Sequence, residues 1–256
     1  MLKLVNITKS FNLTGNKEDN RVALDHINLE INDGDFVTVI GSNGSGKTTS
    51  LNIIAGTFMP DEGDIILDDK SITKLKEYQR AKYFGRVFQD PMLGTAGDMS
   101  IIENLEVASL RGQTHSPIKW GFKKSHREHF INELKRFDLG LEDRLNQKVG
   151  VLSGGQRQAL TLLMATLAKP KVLLLDEHTA ALDPKTANKV LELTERIVTE
   201  EKLTTIMITH NMKDALKYGN RLIMYHQGHI VLDVKGEEKA KLTVEDLLKL
   251  FDDVSI

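Results

Sequence analysis

Gly41-Ser42-Asn43-Gly44-Ser45-Gly46-Lys47-Thr48 has the spacing G-x-x-x-x-G-K-T. These residue types suit the binding of a phosphate chain. Glycines let successive backbone N–H groups converge on one anion. Lys47 brings an ammonium to the β- and γ-phosphates, and Thr48 offers a hydroxyl to Mg2+. A second group is Leu173-Leu174-Leu175-Asp176-Glu177, an apolar run that ends in two carboxylates. Asp176 can reach a Mg2+ held by Thr48, directly or through water, and Glu177 can polarise a water attacking the γ-phosphate. A third is Ser153-Gly154-Gly155-Gln156, in which a serine and two glycines precede a helix and form another anion-binding turn.

The elements that must position these groups can be read from the pattern around them. Phe36 to Ile40 is a short apolar run with strand character, and Thr49 to Ala55 is helix-compatible, with Gly56 to end it. A strand, a glycine loop and a helix N-terminus form an anion site before any side chain contributes. Leu2 to Thr8 alternates like a half-buried strand, and Val22 to Ile31 repeats apolar residues at period two. The N-terminal part therefore reads as antiparallel strands feeding a parallel core. Leu75 to Tyr83 is expected to be helical and Arg86 to Phe88 a strand. From about Ser100 to Gly150 strand signals vanish, while Phe130, Leu134 and Phe137 follow helical spacing, which suggests an inserted helical subdomain. Within it, Arg111 to Arg127 carries five Lys or Arg, no Asp or Glu, and the only tryptophan, Trp120. That stretch reads as a solvated loop or as a basic, aromatic surface for lipid headgroups or a partner. Val172 to Leu175 and Thr204 to Ile208 read as strands buried on both faces. Asp183-Pro184 opens a helix to about Glu200, Gln227-Gly228 turns a hairpin, and Thr243 caps a last helix over about 243–251.

Composition bounds the reading. The chain has 256 residues, a net charge of -2 and no cysteine. It carries no global basic field for nucleic acid, and disulfides and thiolate metal sites are excluded. Hydrophobic content of 40% and charged content of 27% are ordinary for a globular protein. No run of residues is long and apolar enough to span a bilayer, so a membrane role requires a partner chain.

Leu152-Ser153-Gly154-Gly155-Gln156-Arg157-Gln158 resembles the signature motif of ATP-binding cassette (ABC) proteins. It follows a phosphate loop and precedes an Asp-Glu strand in the order of that family, and the resemblance runs from Leu2 to about Val234. It implies an α/β, P-loop NTPase fold of the ABC ATPase type over residues 1–256. In that fold a mostly parallel core sheet carries an N-terminal antiparallel β subdomain and a helical insertion at about 90–160. Gln89 then stands as the Q-loop glutamine that senses Mg2+ and water, Ala181-Leu182-Asp183 as the loop crossing a dimer interface, and His210 as the switch histidine that contacts the γ-phosphate. Phe11 resembles the aromatic that stacks on adenine, with Val22 beside it. The resemblance also implies two cassettes packed head to tail, a homodimer on this reading, with each ATP between one phosphate loop and the partner's signature.

As function, the resemblance implies an ATP-hydrolysing transport subunit that uses ATP and Mg2+ on the cytoplasmic face of the membrane. Its other partners would be a permease and an extracytoplasmic solute-binding protein. The subgroup resembled is bacterial and import-type, and some of its members are associated with amino-acid-like solutes, aromatic ones among them. A soluble assembly ATPase and an export ATPase share the same motifs. One position departs from the family: the residue after Asp176-Glu177 is usually proline and here is His178, which leaves the backbone beside Glu177 freer and adds a titratable ring.

Overall fold

The computed structural model describes residues 1–12, 20–112, 124–138 and 140–254. In chain order, β1 (Leu2–Asn12), β2 (Asn20–Ile31) and β3 (Phe36–Gly41) lead into α1 (Lys47–Ala55). β4 (Glu62–Leu67), β5 (Lys70–Ser71) and the single turn α2 (Glu77–Arg80) follow. Next come β6 (Phe84–Val87), α3 (Ile101–Ser109), α4 (Lys124–Phe137), α5 (Gly154–Thr166), β7 (Val172–Asp176) and α6 (Pro184–Glu201). The remaining elements are β8 (Thr204–Ile208), α7 (Met212–Lys217), β9 (Arg221–His226), β10 (His229–Lys235), α8 (Glu237–Lys241) and α9 (Val244–Val254). Two compact units emerge: Met1–Arg80 with Lys202–Ile256, and Ala81–Glu201.

The first unit holds an antiparallel sheet in the order β2-β1-β4-β5 and a second set of strands, β10-β9-β3-β8. β3 lies in parallel between β8 and β9, with Val39 opposite both Ile208 and Ile223. All six residues of β3 are buried, as befits a strand covered on both faces. Its one polar residue, Thr38, is satisfied by the Ala215 and Arg221 carbonyls at 2.8 and 3.1 Å. One face of this sheet packs Ile40, Leu222 and Met224 against Ala215 of α7 and Leu247 of α9. β9 and β10 form the expected hairpin about Gln227-Gly228.

α1 is capped at its far end by unusual means. Gly56 takes a left-handed conformation (φ 88°) and ends the helix. Arg80, fully buried, donates to the Ile53 and Ile54 carbonyls at 2.6 and 3.0 Å and to those of Leu75 and Thr73. A cation at a helix C-terminus complements its dipole. The same side chain corrects one expectation. Leu75 to Tyr83 does not form one helix; only Glu77–Arg80 is helical. Arg80 is drawn inward to α1, and the Tyr83 carbonyl accepts from Lys171 and Val172, so the chain is already committed to β6.

In the second unit β6 and β7 pair in parallel, with Val87 opposite Leu175. The strand expected at Arg86 to Phe88 runs slightly earlier, over Phe84–Val87. Between these strands the described residues form α3, α4 and α5 and no named strand. Phe130, Leu134 and Phe137 are buried, as their spacing implied. Residues 113–123, with Trp120, lie outside the described residues, as do 13–19. Arg111, read above as part of a solvated loop or of a basic surface, turns inward instead and donates to the Met164 and Ala165 carbonyls near the end of α5. Among the described residues no helix is long and apolar enough to cross a membrane.

Candidate functional site

The phosphate loop belongs to the first unit. Gly41 and Gly46 are glycines for two reasons. Both have positive φ, 151° and 107°, and a Cβ would meet a carbonyl oxygen 2.4 Å away at Tyr225 or 2.5 Å away at Ala23. Lys47 is buried, and its Nζ donates to the Gly41 and Ser42 carbonyls at 2.8 and 2.9 Å, which folds the loop over its own lysine. The Gly228 N–H donates to the Ser45 carbonyl, tying the loop to the β9–β10 hairpin. The α1 N-terminus at Gly46 has no side-chain cap, whereas Ser100, Ser153 and Asn211 cap α3, α5 and α7. The first turn of α1, Lys47 to Thr49, carries the partial positive charge of the helix N-terminus, which suits an anion.

Two further groups come to this loop. β8 runs parallel to β3 and carries the exposed His210 to the level of Gly41. Arg21 of β2 sends its guanidinium to the loop: Nη2 lies 2.9 Å from where a Cβ on Gly44 would stand. Sequence reasoning missed Arg21, because a single exposed arginine on a strand carries no pattern. Phe11 packs edge-on against Phe58 at 5.3 Å between centroids. Its cross-strand partner is Arg21; Val22 pairs with Ser10, which in an alternating ladder turns it to the other face. Val22 is half exposed.

The second unit holds the carboxylates, the glutamine and the signature. β7 is buried throughout and ends at Asp176, whose Oδ2 lies 3.8 Å from Arg86 Nη2. Arg86 also stacks over the Phe88 ring at 4.5 Å. Parallel pairing of β6 with β7 brings the exposed Gln89 level with Glu177. Gln158 of α5 donates to the Phe88 carbonyl, fixing the chain just before Gln89. Glu177 is half-buried and has φ 48°, an uncommon state for a residue with a Cβ.

Ser153 opens α5 with a reciprocal capping box. Its Oγ accepts from the Gln156 N–H, and the Gln156 side chain accepts from the Ser153 N–H, each at 3.3 Å. The N–H groups of Gly154 and Gly155 complete the first turn. Asp183 caps α6 by accepting from the Thr186 N–H at 3.1 Å. Its hydrogen bonds to Thr186 hold its carboxyl below the usual range.

The chain thus presents two helix N-termini suited to anions, a strand-end carboxylate pair, and a histidine beside the first anion loop. A sequence profile of ABC transporters matches residues 24–180. A tyrosine transport ATP-binding protein of Clostridioides difficile is 51% identical over 254 residues, 98% of this chain and 99% of that protein. A methionine import ATP-binding protein of Listeria innocua is 34% identical over 255 residues, 95% of this chain and 70% of that one. Among solved structures, a dimeric ATP-binding cassette in a post-hydrolysis state, bound to ADP and Pi, aligns with TM-score 0.78 at 30% identity. It covers 92% of this chain and 98% of that one.

The chain belongs to the ABC transporter family. It has the α/β fold of ABC ATPases and is an ATP-binding, ATP-hydrolysing subunit of the kind that works as a dimer with membrane permease subunits.

Proposed function

We propose that this chain powers the import of an aromatic amino acid, tyrosine or a close relative of it, through a separate permease at the cytoplasmic face of the membrane. The observation that carries this reading is the 51% identity, across nearly the whole of both chains, with a tyrosine transport ATP-binding protein. An extracytoplasmic solute-binding protein would deliver the solute, and the second cassette would be an identical chain.

In this reading Gly41 to Thr49 cradle the phosphates, Phe11 and Val22 border the adenine, and Ser153 to Gln156 with Asp183 face the nucleotide of the partner cassette. Glu177 is the general base, His210 meets the γ-phosphate, and Gln89 senses the state of the site. The hydroxyl of Thr48, the carboxylate of Asp176 and the amide oxygen of Gln89 are all hard oxygen donors and suit Mg2+. Among the described residues no group of three His, Cys, Asp or Glu side chains could hold a metal. A cation bound there with the nucleotide would neutralise phosphate charge. Residues 90–160 act as the helical subdomain through which closure of the cassettes reaches the permease.

The Glu177→Gln protein is expected to bind ATP, run as a dimer in size-exclusion chromatography with ATP, and hydrolyse it at least about a hundredfold more slowly. Hydrolysis at the wild-type rate would remove Glu177 as the base. For the solute, deletion of the gene in its host should abolish uptake of labelled tyrosine, with recovery from the wild-type gene and none from Glu177→Gln. Undiminished uptake of every aromatic amino acid would refute the solute class.

A further inference from the structure

Beside Glu177 lies a buried polar pair that the roles above do not use. His178 and Thr194 of α6 are 2% and 0% exposed. His178 Nε2 stands 3.1 Å from Thr194 Oγ1. The Thr194 hydroxyl donates its one proton to the Val190 carbonyl, 2.8 Å away and one turn back. It can therefore only accept from the imidazole. His178 must carry a proton on Nε2 and donate from it.

His178 lies on the segment that joins β7 to α6, and Thr194 lies within α6. Hydrogen bonds hold that segment along its length. At its start Glu177 has φ 48° and its carbonyl accepts from the Ala180 N–H at 2.9 Å. At its end Asp183 caps α6. Between them His178 reaches past the N-terminus of α6 to its middle. A left-handed backbone at a residue with a Cβ persists only where the surroundings over-determine it. The His178 side chain, one residue on, is the deepest anchor the segment has.

We propose that His178 is a positioning residue for ATP hydrolysis: by donating from Nε2 to the Thr194 hydroxyl, it holds Glu177 in the left-handed turn that aims its carboxylate. The proposal rests on the reading of Glu177 as the general base. It assigns a hydrogen bond to α6 the task of fixing the backbone that a proline ring at this position would otherwise perform.

The test is a set of purified variants assayed for ATPase kcat and KM, ATP affinity and melting temperature. Thr194→Val keeps the shape of the side chain and removes the acceptor; His178→Phe keeps a buried ring and removes the donor. Each is expected to lower kcat roughly ten- to a hundredfold, with KM and ATP affinity unchanged. The double variant should be no slower than the worse single one, because both break the same bond. Thr194→Ser, and His178→Gln, whose amide N–H falls near the position of Nε2, should restore most of the rate. A merely structural role would instead lower melting temperature and ATP binding along with kcat, without recovery in His178→Gln, and that outcome overturns the proposal. Wild-type kcat in folded Thr194→Val and His178→Phe overturns it too. Should either variant fail to fold, His178→Gln against His178→Asn, which is too short to reach, decides the question in the same terms. Glu177→Gln in the same assay separates the two readings: if it is inactive while His178→Phe runs at full rate, only the role of His178 fails.

Discussion

Single residues here are fixed by what their polar atoms can reach. Lys239 of α8 is buried at 4% exposure, and its Nζ donates to the Tyr218 and Gly219 carbonyls and to the Thr38 hydroxyl of β3. Burial lowers its pKa to about 8 from the ordinary 10.5. Between those values the unfolded chain binds more protons than the folded one, so this group makes stability rise with pH from about 8 to 10.5. Below pH 8 the buried ammonium imposes its full penalty. Chemical denaturation at pH 8 and pH 10 should show wild type gaining on Lys239→Met, by at most on the order of 1 kcal/mol per pH unit. Equal pH slopes in the two proteins would contradict the assignment. Lys239, Arg80 and Arg111 escape a sequence reading for a common reason. Their partners are backbone carbonyls far along the chain, and a carbonyl leaves no mark in residue type. Lys47, Gly41 and Gly46 were legible because anion chemistry dictates their identity.

At the scale of elements, the signature helix and α6 meet at a close contact. A Cβ on Gly155 would stand 2.2 Å from Thr186 Cγ2. Gly155→Ala gains about 1 kcal/mol of helix propensity but must displace that methyl, a cost of roughly 1–3 kcal/mol in a packed site. The clash wins, and the melting temperature should fall by several degrees. Adding Thr186→Ser removes the methyl and keeps the hydroxyl beside Asp183, so the double variant should melt at or above wild type. A double variant as unstable as Gly155→Ala alone would place the cost elsewhere. The strands of the core were legible as apolar runs, and α5 and α6 from their caps. α7 was not foreseen. Its Asn211 cap accepts from the Lys213 and Asp214 N–H groups, a local bond that a short polar stretch after His210 does not advertise. Leu75 to Tyr83 was read as too long a helix because its apolar spacing does not reveal that Arg80 is needed at the end of α1.

For the whole molecule, the two units differ in how the chain supplies them. Ala81–Glu201 is one continuous stretch, whereas the other unit joins Met1–Arg80 to Lys202–Ile256. β3, which leads into the phosphate loop, takes both of its strand neighbours, β8 and β9, from that later stretch. A chain ending at Glu201 therefore contains every residue of the phosphate loop but neither strand that frames it. Such a fragment is expected not to bind ATP by calorimetry; micromolar binding would show that the loop needs no flanking strands.

This division gives the protein a schedule during its manufacture. On the ribosome, Phe36 to Gly41 emerge early and must wait with unpaired edges until Thr204 to Ile208 are made. At about 5–20 residues per second that wait is on the order of ten seconds. The middle of the chain can settle first, and a ribosome-bound chain is not an ATP competitor until β8 and β9 have been made. A nascent β-strand as apolar as Phe36 to Ile40, held open for that interval, is exposed to misassembly.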